Sequence, residues 1–424
     1  MLQRLDRFYA DKRVRMALLG AFFLLVLLPQ WNLAEIPSDG GTIPVSMCYL
    51  FSLVFAPWLL TNLRRWRLPP WPVAGLFVYV LVYTAFADLR WGFGRTVLNW
   101  LFGAYLLVAV LSMGRDFAYT DWQKLLAWGM VAFAAIELVN VLTQLSGFSE
   151  LAERLAKADE GWMDYYRPAL TSLTRGGPNL DASWLALGCF FQYKKGVKYP
   201  YFAFAALFSV LYLSRVGMLA CGLYVLWALL FDGDWRPTKR TAWVYLALLA
   251  AAVVAVLSVD FLRVAFMRLL GKLNGGDLTA GRGGMWGNVP AMFRDNPFGY
   301  GCGNAMRVMK ASYGFTSYED NMHNVFLQFL LDEGFVGLLW FMGLVAAFLL
   351  REGKTGFRHP LAGYFVGYLL LSLVQFHGGE VQMQFVLAVY LSVRVLGEAP
   401  WPARDGKPAA EPLPLPTPAP SEDA

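Results

Sequence analysis

The chain has 424 residues, 57% of them hydrophobic and only 16% charged, whereas about a quarter of an ordinary soluble domain is charged. A soluble core cannot absorb so many apolar runs of helix-spanning length, so a soluble globular enzyme is excluded and a polytopic membrane protein is expected. The formal charge of +6 does not point to nucleic acid, because the basic residues cluster beside apolar runs, as the positive-inside rule requires.

The aromatic content, with 16 Trp, 20 Tyr and 32 Phe, suits belts at two membrane interfaces. Cys48, Cys189, Cys221 and Cys302 lie far apart and form no CxxC pair, so neither a disulfide framework nor a metal site is expected.

In chain order, Arg4, Arg7, Lys12, Arg13 and Arg15 precede an apolar run with no small-residue cleavage site behind it. That run reads as a retained helix rather than a signal peptide. A span needs about 20 apolar residues. On that rule the fold class is an all-α polytopic membrane protein of about twelve transmembrane helices. They are expected near 14–31, 44–61, 71–88, 94–113, 122–145, 180–193, 198–213, 216–231, 241–258, 334–350, 360–376 and 381–397.

With the N-terminus inside, every inside loop is basic: Arg64, Arg65 and Arg67; Arg115 and Lys124; Lys194, Lys195 and Lys198; Arg236, Lys239 and Arg240; Arg351, Lys354 and Arg358. The outside segments 32–43 and 377–380 carry no Lys or Arg. Both termini are therefore expected to be cytoplasmic, with two long outside loops at 146–179 and 259–322. Residues 1–400 read as one membrane domain. The proline-rich stretch 401–424 reads as a disordered tail. No internal repeat is visible, which weighs against a transporter.

The stretch 279–339 holds most of the reactive side chains, including Arg282, Arg294, Arg307, Lys310, Glu319, Asp320 and His323. Polar chemistry held between apolar spans is where a site is sought first. Upstream, the apolar run 199–231 is interrupted only by Ser214-Arg215. One helix of that length overshoots the bilayer at about 1.5 Å per residue. Two short helices fit, with Arg215 at the outer tip, either snorkelling to headgroups or serving a site.

Arg282 lies among glycines in Ala280-Gly281-Arg282-Gly283-Gly284, with Trp286 close behind, and Arg175 precedes Gly176-Gly177-Pro178. Each is either a surface loop cation or a planar fork for phosphate oxygens. His323 is placed at the start of a helix near 322–331, where it either acts on substrate or caps the helix. His377 and Glu380, in the last outer turn, form a weaker second candidate, and His359 falls on the cytoplasmic side. Glu137, inside the fifth span, is expected to pair within the bundle. Gly299-Tyr300-Gly301-Cys302-Gly303 lacks the strand and the Lys-Ser/Thr of a nucleotide loop and reads as a flexible turn. The outer loops hold no HExxH, DxD or paired-carboxylate motif, so no metal is implied.

Taken together, Ser214-Arg215-Val216-Gly217, Gly281-Arg282-Gly283 with Trp286, Asn296-Pro297-Phe298-Gly299-Tyr300-Gly301, and His323-Asn324 followed by Gln328, Glu333-Gly334 and Gly337 resemble the O-antigen ligase and polymerase superfamily. The resemblance is concentrated in residues 205–350. It implies a bacterial inner-membrane glycosyltransferase without cofactor, taking glycan from undecaprenyl diphosphate at the periplasmic face.

Carried over by motif, Arg215 and Arg282 bind the diphosphate, His323 is the catalytic base, and Arg175 has a supporting phosphate role. Asn324, Trp286 and His377 stand as further candidates. Ligases of this superfamily transfer to lipid A–core, polymerases to another repeat unit, and a third branch to protein with a large extra C-terminal domain. The basic residues of the second outer loop, Arg263, Arg268, Lys272, Arg294, Arg307 and Lys310, favour a phosphate-bearing lipid A–core acceptor, and hence the ligase. The alternatives are the polymerase, then the protein-directed transferase, then a lipid-glycan transporter without chemistry.

Overall fold

The computed structural model describes residues 8–28, 32–38, 41–87, 95–144, 177–212, 214–232, 282–316 and 321–397, with the single positions 153 and 258. Arg175, most of the 146–179 loop, the span expected at 241–258, the basic residues at 263, 268 and 272, Glu319, Asp320 and the tail all lie outside the described residues.

The protein is mostly helical. In chain order the helices are α1 (Lys12–Leu27), α2 (Met47–Ser52), α3 (Ala56–Thr61), α4 (Trp71–Phe86), α5 (Arg95–Met113), α6 (Tyr119–Thr143), α7 (Pro178–Gly188), α8 (Lys195–Leu211) and α9 (Arg215–Phe231). There follow α10 (Gly283–Gly287), α11 (Val289–Asp295), α12 (Ala305–Ser312), α13 (Val325–Asp332), α14 (Gly334–Gly356), α15 (Pro360–Leu371) and α16 (Val381–Tyr390). Among the described residues, three stretches, Thr96–Met113, Tyr119–Thr143 and Gly334–Gly353, are long and apolar enough to cross a membrane, and five shorter apolar helices accompany them.

Two departures from the expected pattern have simple causes. Residues 32–46 form an antiparallel hairpin, β1 (Asn32–Ser38) with β2 (Gly41–Ser46), so the chain is not purely helical. The run expected as one span at 44–61 is α2 and α3 joined by a 3₁₀ turn at Leu53–Phe55. Pro57 has no N–H for a continuous ladder, so the chain tightens ahead of it.

The helix directions place the bundle's two ends. α7 runs antiparallel to α15, with Trp184 6.2 Å from Tyr368 and Phe190 against Gly363. α9 finishes where α15 begins, since Trp227 Nε1 donates to the Phe357 carbonyl at 2.8 Å. α7 and α9 therefore start at the end where α15 finishes. They pack tightly there, because a Cβ on Gly217 would lie 2.7 Å from the Ala182 side chain.

The opposite end gathers residues expected on the inside: Lys12 with Asp121, Arg15 with Asp116, Lys198 with Asp232 and Arg394 with Glu352. Arg15 holds the Asp116 carboxyl below its ordinary range.

Beyond α9 a small methionine-rich core joins α10, α11 and α12 to α13 through Met285, Met292, Met306, Met309, Met322 and Leu331. A glycine seam joins this layer to the bundle. Tyr300 N–H donates to the Leu331 carbonyl, Gly301 N–H to Asp332 and Phe335 N–H to Pro297, at 2.8, 2.8 and 3.0 Å. α4 closes the seam from behind, as Tyr83 and Tyr79 hydroxyls donate to the Gly299 and Glu333 carbonyls at 2.9 and 3.0 Å.

Gly299 and Gly334 have φ of +98° and +68°, and a Cβ on Gly334 would lie 2.1 Å from the Phe298 oxygen. The turn is thus fixed by docking rather than flexible, which corrects the expectation from sequence. Gly334→Ala should lower stability by about 1–3 kcal/mol from the left-handed backbone alone, with the collision adding to that loss. A melting curve in detergent measures it, and an unchanged midpoint would show that the seam relaxes.

Candidate active site

The site is organised by how α13 starts and α15 stops. Asn324 is the N-cap of α13, its side-chain oxygen accepting from the Phe326 and Leu327 N–H groups at 3.0 and 3.1 Å. The helix therefore begins at Val325, and the cap is Asn324 rather than His323. α15 ends at Leu371 instead of reaching 376, which leaves the carbonyls of the following turn for partners outside the helix.

Four consecutive carbonyls are taken in this way. Ser372 accepts from Val325 N–H at 2.9 Å, and Leu373 accepts from Asn324 Nδ2 at 3.0 Å. Val374 accepts from Arg282 Nη1, and Gln375 lies 3.3 Å from His323 Nδ1.

This ladder places two sequence-predicted residues, Arg282 and His323, on adjacent carbonyls. A carbonyl can only accept, so this contact is a hydrogen bond in the Nδ1–H tautomer, the one that leaves the lone pair on Nε2. His323 has φ +50°, the one positive value at a non-glycine among the described residues. A bulky residue in that region carries strain, and such strain concentrates at functional sites. Met322, the residue before it, is held at both of its backbone polar groups. Trp286 Nε1 donates to the Met322 carbonyl at 2.9 Å, and Met322 N–H donates to Gln328 Oε1 at 2.8 Å.

Arg215 is the first residue of α9. Ser214 caps that helix through Gly217 N–H at 3.0 Å, so Arg215 stands at the bundle end shared by α7, α9 and the 372–380 turn. The two-helix reading of 199–231 is matched by α8 and α9.

His377 has a different setting. Its Nδ1 accepts from Gly379 N–H at 3.2 Å, and its Nε2 lies 3.5 Å from Glu380 Oε1. Glu380 also takes the His377 and Gly378 N–H groups and the Tyr368 hydroxyl at 2.7, 3.0 and 2.6 Å. This pair shapes its own turn. His359 caps α15 at the other end of the bundle, accepting from Leu361 N–H at 3.1 Å. Burial, with Arg394 nearby, lowers its pKa to about 3, so it stays neutral. Glu137 is fully buried, 3.4 Å from Asn140 Nδ2.

Among the described residues, Cys302, Asp332 and Glu333 bring one ligand-type atom each within 4.8 Å of one another. The donor set suits a hydrogen-bonded seam better than a cation. Asp332 already accepts from Gly303 N–H, Ala305 N–H and Gln328 Nε2. Burial pushes the Cys302 thiol and the Glu333 carboxyl well above their ordinary values, which disfavours the charged forms a cation would need. Sequence reasoning missed Asp332. The available signal was its spacing, four residues beyond Gln328, which puts both on one face of α13.

Residues 200–342, about a third of the chain, match the family model described as O-antigen ligase. Over that stretch the chain is similar to the O-antigen ligase family. The matched stretch includes Arg215, Arg282, Trp286, His323 and Asn324, and leaves Arg175 and His377 outside it. Members of this family are glycosyltransferase-like enzymes acting on lipid-linked glycans. No curated protein matches the chain.

Asn324→Ala should cost about 1–2 kcal/mol through the lost cap. Asn324→Asp keeps the capping oxygen and should recover most of that loss, although the bond to Leu373 is gone. Melting midpoints of the two variants in detergent make the comparison.

Proposed function

We propose that this protein transfers a glycan from undecaprenyl diphosphate to a sugar hydroxyl of lipid A–core at the periplasmic face of the bacterial inner membrane. The observation that carries the reading is the adjacency of Arg282 and His323 on the Val374 and Gln375 carbonyls. An anion-binding fork and an oriented imidazole are the two groups that displacement of a diphosphate requires.

In this reading His323 Nε2 takes the proton from the acceptor hydroxyl. The acceptor oxygen forms its bond to the anomeric carbon as the bond to the diphosphate oxygen breaks, and that oxygen leaves with the electron pair. Attack opposite the leaving group inverts the centre. Arg282 and Arg215 stabilise the growing charge, with Arg175 in support. The exposed Arg294 and Lys310 suit an anionic acceptor. Asn324 contributes as the cap that fixes His323's neighbour, and Trp286 as a clamp on Met322.

The test is reconstitution of purified protein with undecaprenyl-diphosphate-linked glycan and lipid A–core, the products being resolved on a gel. Glycan should appear on lipid A–core, and His323→Ala should reduce transfer by roughly 100-fold or more. Ladders of longer lipid-linked glycan without transfer would make the protein a polymerase. Binding of donor with neither product would favour a transporter. Because arginine supplies the electrostatic work here, transfer should persist in chelator, and its loss would overturn that part of the reading.

A further inference from the structure

We propose that Gln328 and Asp332 are positioning residues for His323, acting as a buried clamp that holds the His323 backbone in its left-handed conformation. The inference rests on the reading of His323 as the base.

The strained φ at His323 must be imposed from outside, because an isolated chain relaxes it. The two peptides that flank Met322 are the lever: Gln328 holds the one before it, Trp286 and Asn321 the one between it and His323. Trp286 takes the Met322 carbonyl, Gln328 Oε1 takes the Met322 N–H, and His323 N–H donates to Asn321 Oδ1 at 2.9 Å. A glutamine side chain alone is a poor lever, since it has three rotatable bonds and an amide that can flip. Asp332 removes that freedom. Its Oδ2 accepts from Gln328 Nε2 at 2.6 Å, which points Gln328 Oε1 at Met322.

Asp332 is held in turn, with Gly303 N–H on Oδ2 at 2.8 Å and Ala305 N–H on Oδ1 at 3.0 Å. Gln328 and Asp332 are 5% and 2% exposed, so water cannot substitute for a missing partner. The glycine seam is thereby connected to the base through four side-chain and backbone contacts, none of which touches substrate.

The chemistry of the pair can be separated from its bulk. Gln328→Leu keeps the volume and removes both ends of the amide. Gln328→Glu keeps an acceptor for Met322, and can still donate to Asp332 while it carries a proton. The titratable groups facing this point are Asp332, Glu333, Cys302 and His377. Burial raises Asp332 to about 6 and pushes Glu333 well above its ordinary value. The introduced carboxyl would thus share a proton with Asp332 under mildly acidic conditions and lose it at higher pH.

The measurement is kcat and donor KM for full-length wild type, Gln328→Leu, Gln328→Glu and His323→Ala, with undecaprenyl-diphosphate-linked glycan and lipid A–core, alongside melting midpoints. Gln328→Leu should lose roughly 10- to 100-fold in kcat with donor KM little changed. Gln328→Glu should run close to wild type at about pH 6 and fall toward the leucine variant at about pH 8. Wild-type kcat in Gln328→Leu, or an equal loss in Gln328→Glu at every pH, would overturn the clamp. Should His323→Ala remain active, the reading of the base fails. Should it be inactive while Gln328→Leu is not, only the clamp fails.

Discussion

The early stop of α15 is the constraint on which the candidate site depends. A helix consumes its own carbonyls except at its C-terminal end, where they must find partners elsewhere or face an apolar surround. Here the carbonyls of 372–375 receive a helix N–H, a capping amide, a guanidinium and an imidazole in register. Each bond satisfies a group on both sides. Together they fix the angle between α13 and α15, and with it the separation of Arg282 from His323. Had α15 continued a full turn past 375, these carbonyls would be taken within the helix, and the two side chains would have no common reference.

The second constraint is the pair of carboxyls at the α13–α14 junction. Burial penalises the ionised form of Asp332, and its three N–H donors offset only part of that penalty, leaving it at about 6 against an ordinary 3.8. The sign follows from linkage. A carboxyl whose folded pKa is raised contributes most to stability below the unfolded value, and that contribution is lost as pH rises through the folded one. Stability is therefore lost as pH rises from 3.8 to about 6, and near neutrality the ionised Asp332 carries that full cost. A group retained in spite of such a burden is accounted for by what its oxygens hold in place, namely the Gly303 turn and the Gln328 amide.

Much of the scaffold was legible in the sequence, because hydropathy and charge act over long stretches. Apolar runs at 94–113, 122–145, 216–231 and 334–350 became α5, α6, α9 and α14 within a few residues. The inside basic set reappears at one end of the bundle, in Lys12, Arg15 and Lys198 with their carboxylate partners. Hydropathy was silent where local geometry decides. It could not see that Pro57 breaks a span, that 32–46 pairs as a hairpin, or that α15 stops at Leu371. Among site residues, motif order pointed to His323 and Arg282, whose types announce their chemistry. Gln328 was visible as part of the motif but without a role, and Asp332 was missed, because their contribution is a hydrogen-bond direction, which composition does not encode. The alternate glycines from Gly299 to Gly303 suggested mobility, when their positive φ values serve tight docking.

Carboxylates and backbone carbonyls both orient cationic side chains in this bundle, with different electrostatic consequences. At one end Arg15 meets Asp116 with two parallel bonds of 2.7 Å, and Arg394 reaches Glu352 at 2.8 Å. A carboxylate both orients a guanidinium and cancels its charge. At the opposite end Arg282 donates to the Val374 carbonyl, a partner that contributes direction without a formal negative charge. The guanidinium is a planar fork of five N–H donors, a shape that matches phosphate oxygens, and the Val374 carbonyl is one contact that orients it. His323 likewise has a backbone carbonyl, that of Gln375, 3.3 Å from its Nδ1. In the proposed reading a carbonyl suits this purpose, because an uncharged partner orients a cation without repelling the anion it is to receive.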